Sequence, residues 1–386
     1  MNVLFSTTST VEFCNGKYYD NDMNATVPRY KRLGERMVCL VSIKHCNIPS
    51  QSPVDMENVE FVEIEKINTL KKLLWGQYRN KLIIKRYVEW ADICVIHIPS
   101  FVGEYVAKCA VKQHKPYLTL VMGCAWDAYW NYNWKGKLLA PYRYYSLRQT
   151  VKKAEYVIYV TQHFLQRRYP ALGHTIGCSN VKQDAVSEIV LNERLQKIHE
   201  MKKSNPIKLG TLAAVDVRYK GQEYVIRAIA ELAKRGIKYE YHLGGKGEQA
   251  FLRNLAKHLG VSSQVIFYGS VLRQDLPTFL DNIDIYIQPS KQEGLPRALI
   301  EAMARACPAL GADTAGIPEL IDEDCIFRNG NVHDICNLLL TFDANKLAYK
   351  AKRNYLEACK YERTILEERR NSFMDAFLND KCLTVQ

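Results

Sequence analysis

Short apolar runs alternate with longer segments of helical apolar spacing from one end of the chain to the other. That alternation predicts α/β units with parallel sheets, in which buried strands are joined by covering helices. In the first half it predicts strands at 2–6, 37–43, 59–63, 93–98, 117–121 and 156–160. The apolar-poor stretch 200–206, Glu200-Met201-Lys202-Lys203-Ser204-Asn205-Pro206, predicts a linker. A second series follows, with strands at 207–212, 239–243, 265–268, 283–288 and 308–311. Helices are predicted between them at 222–235, 249–259, 274–282 and 296–305. The tail, 364–378, predicts an amphipathic helix with Ile365, Leu366, Phe373 and Phe377 on one side. The expected organisation is therefore a first Rossmann-like domain at 1–200 and a second at 205–362. A terminal helix within 363–386 is expected to pack back on the first domain. Two such domains leave a cleft between them, where ligands usually bind.

Composition narrows the picture. A length of 386 residues suits two domains, and no apolar run reaches the roughly 18–20 residues that span a bilayer. Met1-Asn2-Val3-Leu4-Phe5 runs directly into polar Ser6-Thr7-Thr8-Ser9-Thr10, without the basic and long apolar regions of a signal peptide. A cytoplasmic location is expected. The twelve cysteines are scattered with no Cys-x-x-Cys pair, which favours buried reduced thiols over disulfides or structural zinc. Net charge is +12, and residues 1–200 carry 27 Lys and Arg against 18 Asp and Glu, the remainder 26 against 23. A basic first half calls for an anionic partner: a membrane surface, a phosphorylated substrate or nucleic acid.

The richest stretch is Pro289-Ser290-Lys291-Gln292-Glu293-Gly294-Leu295-Pro296-Arg297-Ala298-Leu299-Ile300-Glu301-Ala302-Met303-Ala304. A buried strand ends at Pro289-Ser290, a turn follows, and Pro296 sits where a helix starts. Backbone N–H groups of Gly294 and Leu295 at that start suit phosphate oxygens. Glu293 and Glu301, eight residues apart, suit hydrogen bonds from sugar hydroxyls at the two ends of a nucleotide sugar. From spacing alone, a capped surface helix with two solvated glutamates fits equally well.

This stretch resembles the Glu-x7-Glu signature of family 4 GT-B glycosyltransferases, the group 1 glycosyl transferases. Four further segments resemble the family in the expected order: Gly210-Thr211-Leu212 with Tyr219-Lys220-Gly221, His242-Leu243-Gly244-Gly245-Lys246-Gly247-Glu248, Val265-Ile266-Phe267-Tyr268-Gly269, and Gly311 through Ile321. The match is strong over about 205–330 and holds only in outline before that. The resemblance implies a GT-B fold and a retaining, metal-independent transfer of sugar from a nucleotide-sugar donor to a saccharide acceptor. A lipid-linked acceptor and cell-surface polysaccharide synthesis are the expected setting.

The resemblance also assigns roles. Glu293 contacts the donor sugar, Gly294 and Leu295 the diphosphate, and Glu301 the ribose. Lys220 neutralises the departing diphosphate. The family's arginine after the first glycine is replaced by Thr211, which makes Arg218 the candidate second cation. Gly244 and Gly245 allow a close backbone approach to the donor, and Val271, with Gly269 and Ser270, lies near the base. In the first half, Met122 stands where the family often has a histidine that touches the sugar. Asp127 or His97 is then the candidate at the acceptor, with helix capping and core packing as their ordinary alternatives. Gly16, after the first strand, is the candidate for the family's glycine loop at the donor phosphates. Asp20-Asn21-Asp22 resembles the metal motif of the other large glycosyltransferase fold, but it comes too early in the chain, and no metal is expected.

Two acid-free stretches, Lys66 to Val88 and Ala128 to Ala154, interleave Lys and Arg with Trp, Tyr and Leu. They suit the headgroup level of an anionic bilayer, or a packed helix with a solvated basic face. A nucleic-acid binder would account for the basic half but not for the donor motifs, so nucleic acid is not an expected partner. A non-catalytic GT-B subunit, or an epimerase or phosphorylase on the same fold, is the remaining alternative.

Overall fold

The computed structural model describes residues 1–54, 57–65, 70–201 and 206–381, and for 70–76 the backbone path alone. Most of the predicted linker, 202–205, lies outside the described residues, as does Lys66. The side chains of Leu70, Lys71, Lys72, Leu73, Leu74 and Trp75 also lie outside.

The first sheet begins with β1 (Asn2–Cys14), β2 (Lys17–Tyr19), α1 (Met23–Lys31), β3 (Arg36–His45), β4 (Val59–Glu63) and α2 (Leu70–Trp90). It continues through β5 (Ile93–Ile98), α3 (Phe101–Lys112), β6 (Tyr117–Val121), α4 (Ala125–Trp130), α5 (Trp134–Lys152), β7 (Tyr156–Tyr159), α6 (Phe164–Arg168) and β8 (His174–Gly177). Its order is β4-β3-β1-β5-β6-β7-β8, parallel throughout, with β2 added antiparallel to β1. Central strands such as β5 are apolar at nearly every position because helices cover both faces. Polar side chains set the helix starts: Ser100 accepts from the Gly103 N–H at 2.8 Å to open α3, and Asn133 from the Gly136 N–H at 2.8 Å to open α5.

After α7 (Glu188–His199), the second sheet is built from β9 (Ile207–Leu212), α8 (Gln222–Lys234), β10 (Tyr239–Gly244), α9 (Ala250–His258), β11 (Val265–Gly269), α10 (Leu276–Asn282) and β12 (Ile285–Gln288). It closes with α11 (Arg297–Ala304), β13 (Ala309–Ala312), β14 (Ile326–Phe327), α12 (Val332–Leu340) and α13 (Ala344–Cys359). Its order is β11-β10-β9-β12-β13-β14, all parallel.

The structure departs from the pattern in four places. β1 runs on to Cys14, although Thr7-Thr8-Ser9-Thr10 interrupts its apolar run; its pairing with β3 shifts register between Ser6 and Thr10. β8 is polar and β14 has two residues, so neither carries an apolar run to detect. α7, expected in the first domain, instead packs on the second. The buried Arg194 donates to the carbonyls of Ile283 (Nη1) and, at 2.8 Å, Leu280, and Lys197 pairs with Asp284 at 2.8 Å. The first domain thus ends before α7 rather than at 200.

The terminal helix α14 (Arg363–Asp380) lies on the first domain. Phe373 and Phe377 pack against Tyr156, with ring centroids 5.3 and 5.2 Å away. Arg29 binds Glu367 at 2.6 Å, and the fully buried Arg370 donates to the Ser179 carbonyl at 2.8 Å. Leu366 and Phe377 are buried, whereas Ile365 faces solvent.

Candidate functional site

The carboxyl ends of the first sheet's strands face the loop between β12 and α11 across a cavity of about 370 Å³. Parallel strands bring their following loops to one edge, which is why ligands collect there. The register break in β1 turns Thr7, Thr8 and Ser9 into this cavity, and His97 on β5 and Met122, Val160 and Asn180, just after β6, β7 and β8, line it. Gly294, Leu295 and Arg297 close it from the second domain.

The two sides meet tightly. A side-chain carbon on Gly294 would lie 2.3 Å from the Met122 carbonyl oxygen, closer than any real contact. Glu319, on the turn after β13, accepts hydrogen bonds from the backbone N–H groups of Gln162 (2.7 Å), His163 (3.1 Å) and Phe164 at the start of α6. Asn131 donates to the Lys291 carbonyl at 3.0 Å.

On the second domain, Lys220 Nζ and Glu293 Oε1 are 2.7 Å apart, both largely buried. A hydrogen-bonded chain orients Glu293. The Leu212 N–H donates to the Tyr286 hydroxyl (3.3 Å), which donates to Gln288 Oε1 (3.0 Å), and Gln288 Nε2 donates to Glu293 Oε1 (3.0 Å). Burial holds the Tyr286 phenol well above its ordinary range, so it stays a donor. Glu301 lies eight residues further along α11. Burial raises its pKa, against the opposing pull of Arg297 and then Arg273.

The glycine-rich turn also has a packing reason. A side chain at Gly245 would come within 1.9 Å of the Ala213 carbonyl, and one at Gly244 would strike Leu212 and Val271. These residues bring the loops after β9, β10 and β11 together, with Val271 lying against Gly244. Thr211, where the family has arginine, is buried; it donates to the Ile287 carbonyl at 2.6 Å and accepts from the Tyr241 hydroxyl at 2.8 Å.

Three expected site residues are outside the cavity lining, as Lys220, Glu293 and Glu301 also are, and have local partners or places of their own. Arg218 forms a two-pronged pair with Glu223 (3.0 and 2.8 Å) and stacks on Phe251 at 4.0 Å, so its guanidinium is engaged on α8 and α9. Gly16 turns the exposed β1–β2 hairpin at φ +79°. The part of β1 that does line the cavity is Thr7, Thr8 and Ser9. Asp127 sits in the first turn of α4, capped by Cys124, with Arg168 3.9 Å away, and is not part of the cavity lining. Burial raises its pKa, opposed by the Cys124 thiol and Arg168.

His97 does line the cavity. Its ring meets Phe5 edge-on at 4.7 Å, its Nε2 has no hydrogen-bond partner among the described residues, and burial pushes its pKa down to about 3. Arg29, Asn180 and Lys182 carried no motif in the sequence; α1 and the segment after β8 bring them to the cavity. Arg297 was in view within the motif, and only its charge beside Glu301 could have marked it.

Residues 196–355 match the family model described as glycosyl transferases group 1. The chain is 27% identical over 377 residues to protein CapJ of Staphylococcus aureus, covering 96% of this chain and 90% of CapJ. It is 30% identical over 167 residues to the amylovoran biosynthesis glycosyltransferase AmsK of Erwinia amylovora, 41% of this chain and 40% of that one. Among solved structures, Anabaena HepE in complex with UDP-glucose superposes with a TM-score of 0.64 at 18% identity, over 97% of this chain and 100% of HepE. That likeness is one of fold: two parallel-sheet domains facing across a cleft.

Proposed function

We propose that the chain, whose residues 196–355 match the group 1 glycosyl transferase model and whose fold is that of GT-B enzymes, transfers a sugar in its cleft from a nucleotide-sugar donor with retention. The observation that carries this is the partly buried Lys220–Glu293 pair held by the Tyr286–Gln288 chain, with Glu301 two turns away on α11. As the donor's glycosidic bond breaks, its electron pair leaves on the diphosphate. Lys220 stabilises that charge where it develops. Glu293 orients the sugar hydroxyls, Gly294 and Leu295 offer backbone N–H groups to the diphosphate, and Glu301 accepts from the ribose. The acceptor oxygen bonds to the anomeric carbon on the face being vacated, and its proton passes to a diphosphate oxygen. No step in this scheme calls on a metal. AmsK, by its name, supports a role in polysaccharide biosynthesis.

The test is turnover and binding across a panel of sugar nucleotides, in EDTA. Glu293→Gln and Lys220→Gln should each cost at least about 10²-fold in turnover, the loss seen on removing one transition-state contact. Binding of no sugar nucleotide by wild-type protein would overturn the assignment.

A membrane-facing surface on the first domain fits the same reading. Trp134, Leu138, Tyr142 and Tyr145 form one exposed stripe along α5, with Tyr132 exposed just before it and Lys135 and Lys137 beside it. Arg143, expected on this basic face, is buried in an ion pair with Glu104. Among the described residues no helix is long and apolar enough to cross a membrane. Aromatic and leucine side chains at headgroup depth with nearby lysines fit peripheral contact with an anionic bilayer at the cytoplasmic face. This would bring a lipid-linked saccharide to the cleft. Co-flotation with anionic vesicles, weakened by salt and by Trp134→Ser with Leu138→Ser, is the expected outcome; equal recovery with neutral vesicles would refute it.

A further inference from the structure

One corner of the cavity gathers more positive charge than its neighbours balance. Arg29, Lys182 and Arg297 all line it. Arg29 is committed elsewhere, to Glu367 (2.6 Å) and to Asn180 Oδ1 (3.2 Å). Among the described residues, Lys182 and Arg297 have no such close carboxylate partner. Both approach a single carboxylate oxygen, Asp22 Oδ1, at 3.9 and 3.5 Å, beyond hydrogen-bond reach. Lys182 Nζ makes its hydrogen bond to the Asn21 carbonyl at 3.3 Å. Just outside, Arg273 donates to the Lys182 carbonyl and shares Asp184 (3.8 Å) with Arg363 (2.8 Å). Four cations, Lys182, Arg273, Arg297 and Arg363, therefore meet three acids, Asp22, Asp184 and Glu301, and Glu301 makes no ion pair among the described residues. Lys182 has its pKa lowered, first by burial and then, against the pull of Asp22, by Arg297, Arg273 and Arg29. A bound anion would relieve this crowding of like charge.

The rest of the lining is hydroxyl and amide. Thr7, Thr8, Ser9, Ser179 and Asn180 face the same space, which suits a sugar ring beside an anionic group. An arginine fork and a lysine ammonium read oxyanions by charge-assisted hydrogen bonds. Lys220, Glu293, Gly244 and Gly245 are not part of this lining, whereas Gly294 and Leu295, assigned above to the donor diphosphate, close it on one side, so the cavity adjoins the donor site.

We propose that the cavity binds an acceptor saccharide carrying a negative charge, a carboxylate or a phosphate, held by Lys182 and Arg297. The inference rests on the glycosyltransferase reading for the word acceptor, but its chemistry is testable without turnover. Binding of glucose, glucuronate and glucose 6-phosphate is measured by calorimetry on the full chain, alone and with each nucleoside diphosphate of the donor panel. At least one charged sugar should bind at least tenfold tighter than glucose, and which one distinguishes a carboxylate from a phosphate source. Lys182→Gln and Arg297→Gln should each erase that preference, while Arg297→Lys retains part of it and controls for folding. With an acceptor in hand, the same variants should raise its KM more than they lower kcat. Equal affinity for charged and neutral sugars overturns the proposal. So does a loss confined to nucleoside diphosphate binding, which would give these cations to the donor. Anion binding without binding of any sugar nucleotide would leave the site standing and remove the glycosyltransferase reading.

Discussion

At the residue scale, Thr211 and His97 illustrate how a position can change its work. Thr211 occupies the family's arginine position at the end of β9, yet its hydroxyl is consumed by the Ile287 carbonyl and the Tyr241 hydroxyl. It binds two strands together rather than a phosphate, and Lys220 is left as the cation beside Glu293. His97 is held neutral because burial among Phe5 and Tyr30 makes the imidazolium costly. Its folded pKa of about 3 lies below the ordinary value near 6.5. Between those values the unfolded chain binds the additional proton, so stability falls as pH drops below 6.5. Denaturant titrations of wild type and His97→Gln at pH 7.5 and 5.5 should differ by about 1 to 1.4 kcal/mol in their pH dependence. An identical slope for the two proteins would place the titrating group elsewhere. Glu301 predicts an acid limb for ligand affinity as well. Its carboxyl is raised by burial, so donor affinity should weaken on acidification sooner than an ordinary glutamate would allow, and Glu301→Gln should flatten that limb.

At the element scale, the loop from β12 into α11 carries the site because three constraints converge on it. β12 is buried on both faces and ends at Gln288, Pro296 opens the helix, and the intervening Gly294 leaves room for the opposite domain. This much was legible in the sequence, since strand, turn, proline and the two glutamates all sit in one continuous segment. The glycine-rich turn after β10 was legible for the same reason. β1 was not: its polar middle hides a strand continued through a register break, and Gly16, which looks like a phosphate loop, only turns a hairpin. Gly294→Ala tests the element. The added carbon must displace the Met122 carbonyl or part the domains, so turnover should fall at least about tenfold, while each domain's core is untouched and the melting temperature shifts by only a few degrees. Unchanged kinetics would mean that the domains do not close this far in the working enzyme.

For the whole molecule, the relation of the two domains is set by contacts from distant parts of the chain. α14 crosses back to the first domain through Arg29–Glu367 and Arg370–Ser179, and α7 is claimed by the second domain through Arg194. Glu319 fastens the cleft by satisfying three backbone N–H groups at the start of α6. Glu319→Ala leaves those groups without their charged acceptor, at a cost of about 1–3 kcal/mol. Small-angle scattering should show a larger radius of gyration for the variant, which nucleotide-sugar binding reverses in part. An unchanged radius would assign closure to the remaining contacts across the cleft, those of Gly294 with Met122 and of Asn131 with Lys291.

The sequence by itself determined what depends on neighbours along the chain: alternating buried strands and amphipathic helices, the Glu293–Glu301 spacing, and the small residues where loops crowd. Tertiary structure alone decided which charges meet. Arg218 found Glu223, Asp127 remained beside Arg168, and Asp22, Lys182 and Arg297 came together from three separated segments. The reason is physical. Burial and periodicity are written into each segment, whereas an ion pair depends on the packing of elements whose order in the chain does not specify their distance in space.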